Sequence, residues 1–305
     1  MSEPRFYRAI PGTNLKVAPI CLGTMTFGAP VEAAEATRII DWALEHGLNF
    51  LDTANSYEGY ARIPGSPGGV AEEIIGQALG KRRTQAVVAT KVGNPIGPSA
   101  DDRGLGRTHI MRACDASLRR LQTDWIDLYY MHRPDPETPL EQSIAAFAEL
   151  IGAGKVRYWG LSNFDTAQTS QILELCARHG WPRPVAHQPA YSLLNRSIER
   201  DLLPLCRSEQ IGVIPYQVLQ GGLLTGKYQH PTAPPTGTRG AEKPEWIPLL
   251  NDAATQQKLQ ELTEQAAAEG RTLLNYTIHT TLALPGIVSL IVGVKRIDQL
   301  KEFLQ

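Results

Sequence analysis

Eight short apolar, β-rich runs recur along the chain with helical patterns between them, and no other feature restricts its folding so strongly. The runs are VAPICLG (17–23), NFLDTA (49–54), AVVATK (86–91), IDLYYMH (126–132), VRYWGLSN (156–163), VAHQP (185–189), GVIPY (212–216) and SLIVG (289–293). Helical patterns occupy 31–46, 70–80, 108–121, 139–153, 165–179, 197–208 and 253–283, the first with an expected inner face of Ala34, Ile39, Trp42, Ala43 and His46. Strands alternating with helices belong to a parallel sheet wrapped by helices. With 305 residues and no linker between halves, the pattern favours one closed (β/α)8 TIM barrel, which needs about 250 residues, over a doubly wound open sheet. A single domain spanning 1–305 is expected. Residues 6–10 and 14–17, joined by Pro11, Gly12 and Thr13, read as an N-terminal β-hairpin outside the repeat.

A barrel of this kind carries its chemistry at the C-terminal ends of its strands. Those ends hold Asp52, Lys91, His132, Ser162, Asn163, Gln188 and Tyr216, and Tyr57 lies just past Asp52. A lone Asp in a turn is ordinarily a cap, and a lone His is ordinarily structural. Polar groups at successive strand ends point instead toward one mouth. Three connections exceed what packing requires, 55–70, 92–107 and 217–248; each follows a strand, so all three belong to the mouth.

Several other classes are disfavoured. No G-x-G-x-x-G follows a strand, and GLGRTH (104–109) lacks the third glycine, so a Rossmann domain is not expected. GGLLTGKY (221–228) fits G-x-x-x-x-G-K but places Tyr228 where a nucleotide-hydrolysing loop needs Ser or Thr for Mg²⁺. A formal net charge of -1 with no long basic run argues against a nucleic-acid or anionic-membrane surface. No apolar run approaches the roughly 20 residues of a membrane span, and the polar start MSEPRFYRAIPGT does not read as a signal peptide, so a cytoplasmic location is expected. Cys21, Cys114, Cys176 and Cys206 are widely separated and read as buried free thiols, with no metal site.

The stretches LDTANSY (51–57), ATKVG (89–93), DLYYMHRPD (127–135), GKVRYWGLSNF (154–164), YSLLNR (191–196), GGLLTGKY and IVGVKRIDQL (291–300) resemble the aldo-keto reductase superfamily, in its bacterial and potassium-channel β-subunit-like branch. The resemblance implies a barrel without a separate dinucleotide domain and NADPH-dependent reduction of a small aldehyde or ketone. It implies Tyr57 as general acid, Lys91 as the cation that acidifies it, Asp52 as the partner of Lys91, and His132 as the group orienting the carbonyl. A cation about 4 Å away at an effective dielectric near 20 is worth roughly 4 kcal/mol, enough for an expected fall of about two or three units in the Tyr57 pKa.

For the cofactor, the resemblance implies Ser162, Asn163 and Gln188 on the nicotinamide carboxamide and Tyr216 on its ring face. Gly221 and Lys227 would hold the pyrophosphate, Arg239 stands where similar proteins place a cofactor-contacting Arg, and Lys295 and Arg296 favour NADP over NAD by meeting the 2′-phosphate. Gly23, Thr24, Met25, Asp52, Gln217, Leu219, Gly293, Gln299 and Glu302 complete the expected cofactor contacts. YQVL places Gln217 and Val218 where Ser and Pro are usual, and QLKEF places Phe303 where Asn is usual, which puts one phosphate and one adenine contact in doubt. The chain stops at Gln305 without a long tail, so loops 55–70 and 92–107 with Tyr60, Arg62 and Trp246 are expected to shape the substrate pocket. Two alternatives compete: a cofactor-binding regulatory subunit, and an unrelated barrel using Lys91 for Schiff-base chemistry. The latter leaves Tyr57, His132 and GVKR unexplained.

Overall fold

The computed structural model describes residues 7–63, 65–99, 101–228 and 234–304. The expected start of the hairpin at Phe6, the terminal Gln305 and 229–233 of the third long loop lie outside the described residues. Strands β1 (Arg8–Ala9) and β2 (Lys16–Val17) pair antiparallel as the hairpin. Then β3 (Ile20–Gly23), β4 (Phe50–Asp52), β5 (Val87–Val92), β6 (Ile126–Met131), β7 (Val156–Ser162), β8 (Ala186–Gln188), β9 (Gly212–Val213) and β10 (Leu290–Gly293) form a parallel eight-stranded sheet in the order β10-β3-β4-β5-β6-β7-β8-β9.

The two edges of that sheet meet. The Val213 N–H donates to Gly286 O at 2.9 Å, Val288 N–H to Val213 O at 2.8 Å and Ile291 N–H to Pro215 O at 3.0 Å, which closes the (β/α)8 barrel. Strand β9 is shorter than the run 212–216 because Pro215 has no N–H to offer a ladder.

Alternation along the strands decides what faces inward. Phe50, Ala89, Leu128, Tyr130, Ala186 and Ile214 pack in the barrel interior with Ile10, Leu15 and Val17, so the hairpin plugs the N-terminal end. The next inward positions, two residues on, are Asp52, Lys91 and His132. Each of β4, β5 and β6 therefore runs from an apolar plug to a polar mouth.

The helices are α1 (Ala33–Glu45), α2 (Val70–Leu79), α3 (Arg107–Leu121), α4 (Leu140–Gly152), α5 (Thr166–His179), α6 (Leu202–Ser208), α7 (Arg239–Glu242), α8 (Ala253–Ala268), α9 (Leu273–Leu282) and α10 (Ile297–Glu302). Three expectations need correction. The buried face of α1 is Ala36, Ile39, Ile40 and Ala43, whereas Ala34 is exposed and Trp42 and His46 stack on each other outside it, ring centroids 3.8 Å apart. The pattern 253–283 is two helices, because Gly270 turns at φ +69° and Thr272 caps α9 by accepting from Asn275 N–H at 3.1 Å. The pattern 197–208 is a 3₁₀ turn over Ser197–Glu199 followed by α6. Helices α7 and α10 were not anticipated. All four cysteines are free and buried, and among the described residues no helix is long and apolar enough to cross a membrane.

Candidate active site

Lys91 ends an inward-facing row whose other members are apolar, so its ammonium has no route to solvent and is fully buried. It donates to Asp52 Oδ1 at 2.6 Å, Thr53 O at 2.7 Å and Tyr57 OH at 3.2 Å, using all three of its hydrogens. The far carboxylate oxygen of Asp52 accepts from Gln188 Nε2 at 2.8 Å. Burial acts to lower the Lys91 pKa, but Asp52 and Tyr57 outweigh it and hold the ammonium above its ordinary range.

Tyr57 departs from expectation. Burial pushes its phenol above the ordinary value, and the downward pull of Lys91, itself offset by Asp52, does not reverse that. Burial is the larger effect, and the carboxylate bonded to the same ammonium opposes its pull, so the expected acidification is absent. The phenol is thus protonated at neutral pH, with a cation already against its oxygen.

His132 follows β6, and its N–H donates to Val92 O at 2.8 Å. Burial, then Lys91, Arg133 and Arg62, hold its pKa well below the ordinary histidine value, so the ring is neutral. It stands edge-on to Tyr57, centroids 6.0 Å apart at 76°. Asn94, which the sequence reading passed over, lies against this ring, its Nδ2 being 3.1 Å from Nδ1. Its only signal was its place three residues after Lys91.

Side-chain hydrogen bonds join the ends of β6, β7, β8 and β9. Tyr216 OH donates to Asn163 Oδ1 at 2.7 Å, Asn163 Nδ2 donates to His132 O at 2.9 Å, and Ser162 Oγ donates to Gln188 O at 2.8 Å. Asn163 sits at φ +64°, a left-handed conformation that Asn tolerates.

The glycine-rich segment forms a broken 3₁₀ turn over Gln220–Thr225, with Gly221 at φ +68° and Gly222 at φ +102°. Tyr228 is buried, and its hydroxyl accepts from Gly240 N–H at 2.9 Å, so it ties this turn to α7. Lys227 is held below its ordinary pKa by desolvation and by the like charges of Arg239, Lys295 and Arg296. Lys295 Nζ donates to Gly237 O at 3.0 Å and pairs with Glu242, Arg296 pairs with Asp298 at 2.9 Å, and Gln299 Oε1 accepts from Lys295 N–H at 2.8 Å. Arg239 Nε donates to Tyr60 OH at 3.1 Å, and the Tyr60 ring meets Trp246 edge-on at 5.0 Å.

These groups surround one cleft of about 1080 Å³. Tyr57, His132, Asp52 and every position expected to contact cofactor line it, from Gly23, Thr24 and Met25 through Gln217 and Leu219 to Gly293, Gln299 and Glu302. Lys91 lies beneath its floor, while Tyr60, Asn94, Trp246 and Phe303 add to its wall. Arg62 does not line the cleft; it donates to Ser56 O at 2.8 Å and braces the loop that carries Tyr57.

The chain matches the family model described as the Aldo/keto reductase family over residues 19–305. It is 36% identical over 304 residues to an uncharacterized oxidoreductase of Bacillus subtilis (strain 168), covering 97% of this chain and 89% of the relative. A probable voltage-gated potassium channel subunit beta of Arabidopsis thaliana is 33% identical over 304 residues, covering 97% and 89%. An L-glyceraldehyde 3-phosphate reductase of Escherichia coli O157:H7 is 30% identical over 308 residues, covering 98% and 86%.

Proposed function

The chain belongs to the aldo/keto reductase family, and from that premise we propose that it reduces an aldehyde or ketone to the alcohol with NADPH, reversibly. One observation carries this reading: a protonated phenol, Tyr57, shares a buried ammonium with Asp52 and opens onto the same cleft as a neutral His132.

The residues present fit a phosphorylated dinucleotide. Lys227 is held below its ordinary pKa first by desolvation and then by the like charges of Arg239, Lys295 and Arg296, and an anion bound among these cations would relieve their mutual repulsion. Lys227 and Arg239 with the Gly221 turn would take the pyrophosphate, and Lys295 and Arg296 a 2′-phosphate. At the other end Ser162, Asn163 and Gln188 offer both donors and acceptors to a carboxamide, and Tyr216 a ring face. Gln299 and Glu302 would meet the adenine. NADPH, when bound, supplies a hydride to the carbonyl carbon.

The chain's own residues do the rest. His132 donates an N–H to the carbonyl oxygen and fixes its direction. Tyr57 gives its proton to that oxygen as negative charge develops there. The phenolate left behind is held by the Lys91 ammonium, already 3.2 Å away, and Asp52 keeps that ammonium in place. Burial of the pair excludes water that would weaken each contact.

A second reading, a cofactor-binding regulatory subunit, is favoured by the likeness to plant proteins named as probable channel β subunits, 33% and 32% identical. Titration of Trp fluorescence with NADPH and NADH, then addition of 4-nitrobenzaldehyde at saturating NADPH with absorbance at 340 nm as readout, separates the two. NADPH preference with turnover that disappears in Tyr57→Phe supports the reductase. Binding without turnover across a carbonyl panel supports the regulatory subunit.

A further inference from the structure

The geometry points to Asn94 as a positioning residue that fixes the plane of the His132 ring and confines it to hydrogen bonding, so that Tyr57 alone donates the proton; this rests on the reductase reading above. The backbone places Asn94 before its side chain does anything. Gly93 turns at φ +129°, and a Cβ there would lie 3.2 Å from Leu105 Cδ2 and 3.8 Å from the backbone nitrogen of His132. Gly104 N–H donates to Gly93 O at 3.0 Å, pinning the turn. The chain therefore carries Asn94 directly across the imidazole.

The amide nitrogen lies 3.1 Å from Nδ1 and 3.5 Å from Nε2. An in-plane bond to one ring nitrogen would leave the other much farther away. Near-equal distances put the amide over the ring face, with its N–H directed at the π system. That contact favours a neutral ring and disfavours an imidazolium, for the same electrostatic reason that cations favour aromatic faces.

It also leaves the ring edge, rather than the face, to meet a substrate oxygen. The other groups facing His132 are Tyr57 edge-on, Asn163 on its carbonyl oxygen, and the charges of Lys91, Arg133 and Arg62, all of them cations. An imidazolium here would be a stronger acid than the Tyr57 phenol and would compete for the same oxygen. Asn94 and the three cations act together against that.

The test uses the full chain labelled with ¹³C and ¹⁵N at histidine, with His132 assigned by His132→Asn, and two variants of the same shape. Asn94→Asp puts a carboxylate over the ring, and Asn94→Leu removes the N–H. In the parent the His132 signals are expected to remain those of a neutral ring where exposed histidines titrate. Asn94→Asp is expected to bring a His132 titration into that range, and kcat/KM for 4-nitrobenzaldehyde to fall about tenfold on the acid side of its midpoint. NADPH affinity should not change. Asn94→Leu should lower kcat/KM about tenfold at every pH, because only orientation is lost.

The inference is overturned if Asn94→Asp leaves the His132 titration where it was, or if Asn94→Leu keeps parental kcat/KM. Should the NMR change appear in a protein that reduces no carbonyl, the reductase reading fails and the Asn94 contact stands. Should turnover be present without the NMR change, the reverse holds.

Discussion

Replacing Lys91 with Met keeps the stem that fills the barrel and removes the charge together with its three N–H donors. The ammonium is 3.2 Å from Tyr57 OH, so at an effective dielectric near 20 it stabilises a phenolate by about 5 kcal/mol. Asp52, bonded at 2.6 Å to the same ammonium, opposes that, and if it cancels about half, a net of about 2 to 3 kcal/mol remains, or roughly a hundredfold in rate. Under the proposed function, Lys91→Met should therefore lower kcat for reduction by about a hundredfold and leave NADPH affinity within about twofold of the parent. The pH dependence has a definite sign. Lys91 pulls the Tyr57 pKa down against burial, so its loss raises that pKa further. Oxidation of the alcohol, which needs the phenolate, should then show its rising limb at higher pH than in the parent. Stopped-flow single turnovers in both directions measure these quantities. A variant with kcat within about threefold of the parent, or with an unmoved limb, would refute the role given to the buried ammonium.

Two further outcomes follow from the scaffold. His187 is buried and its pKa is pushed down to about 4, below an unfolded value of about 6.5, so its share of stability is complete above about 6.5 and lost as pH falls toward about 4. Urea unfolding at pH 5 should therefore show about 2 kcal/mol less from this residue than at neutral pH, and His187→Leu should flatten that part of the acid slope. A Cβ on Gly160 would lie 2.6 Å from Ala186 O and from the Tyr130 ring, so Gly160→Ala should overpack the barrel by about 2 kcal/mol and lower Tm by roughly 3 °C in calorimetry. An unchanged Tm would mean that the strands can part there at little cost.

How much was legible in the sequence depends on whether a feature is local. The barrel was legible because each strand and helix declares its own period, and the Asp52, Lys91 and His132 set because alternation along a strand fixes which side chain faces inward. The inner face of α1 was misjudged because Trp42 and His46, three and seven residues from Ile39, share helical spacing with it just as Ala36 does; only the neighbouring strands decide between them. Helix α7 was missed because it is held by Tyr228, whose hydroxyl accepts from the Gly240 N–H twelve residues on. The direction of the Tyr57 pKa was missed for a related reason: sequence names the charged partner, but burial is a property of the assembled barrel.

The two ends of the cleft differ in the same way, and under the proposed function that difference has a consequence. Asp52, Lys91, His132 and Gln188 stand at strand ends whose positions are set by the sheet ladder. The cations at the other end are positioned by side chains reaching across loops: Arg239 to Tyr60, 179 residues away, and Lys295 to Gly237 and Glu242. Lys295 and Arg239 already have partners, so a phosphate that reaches them must exchange with Glu242 and with the Tyr60 hydroxyl. Substitutions in 234–251 or at Tyr60 should then act on dinucleotide affinity while leaving the proton-donating set intact, and substitutions at the strand ends should do the opposite. Under the proposed function the barrel would then specify the reaction, and the loops how tightly its hydride source is held.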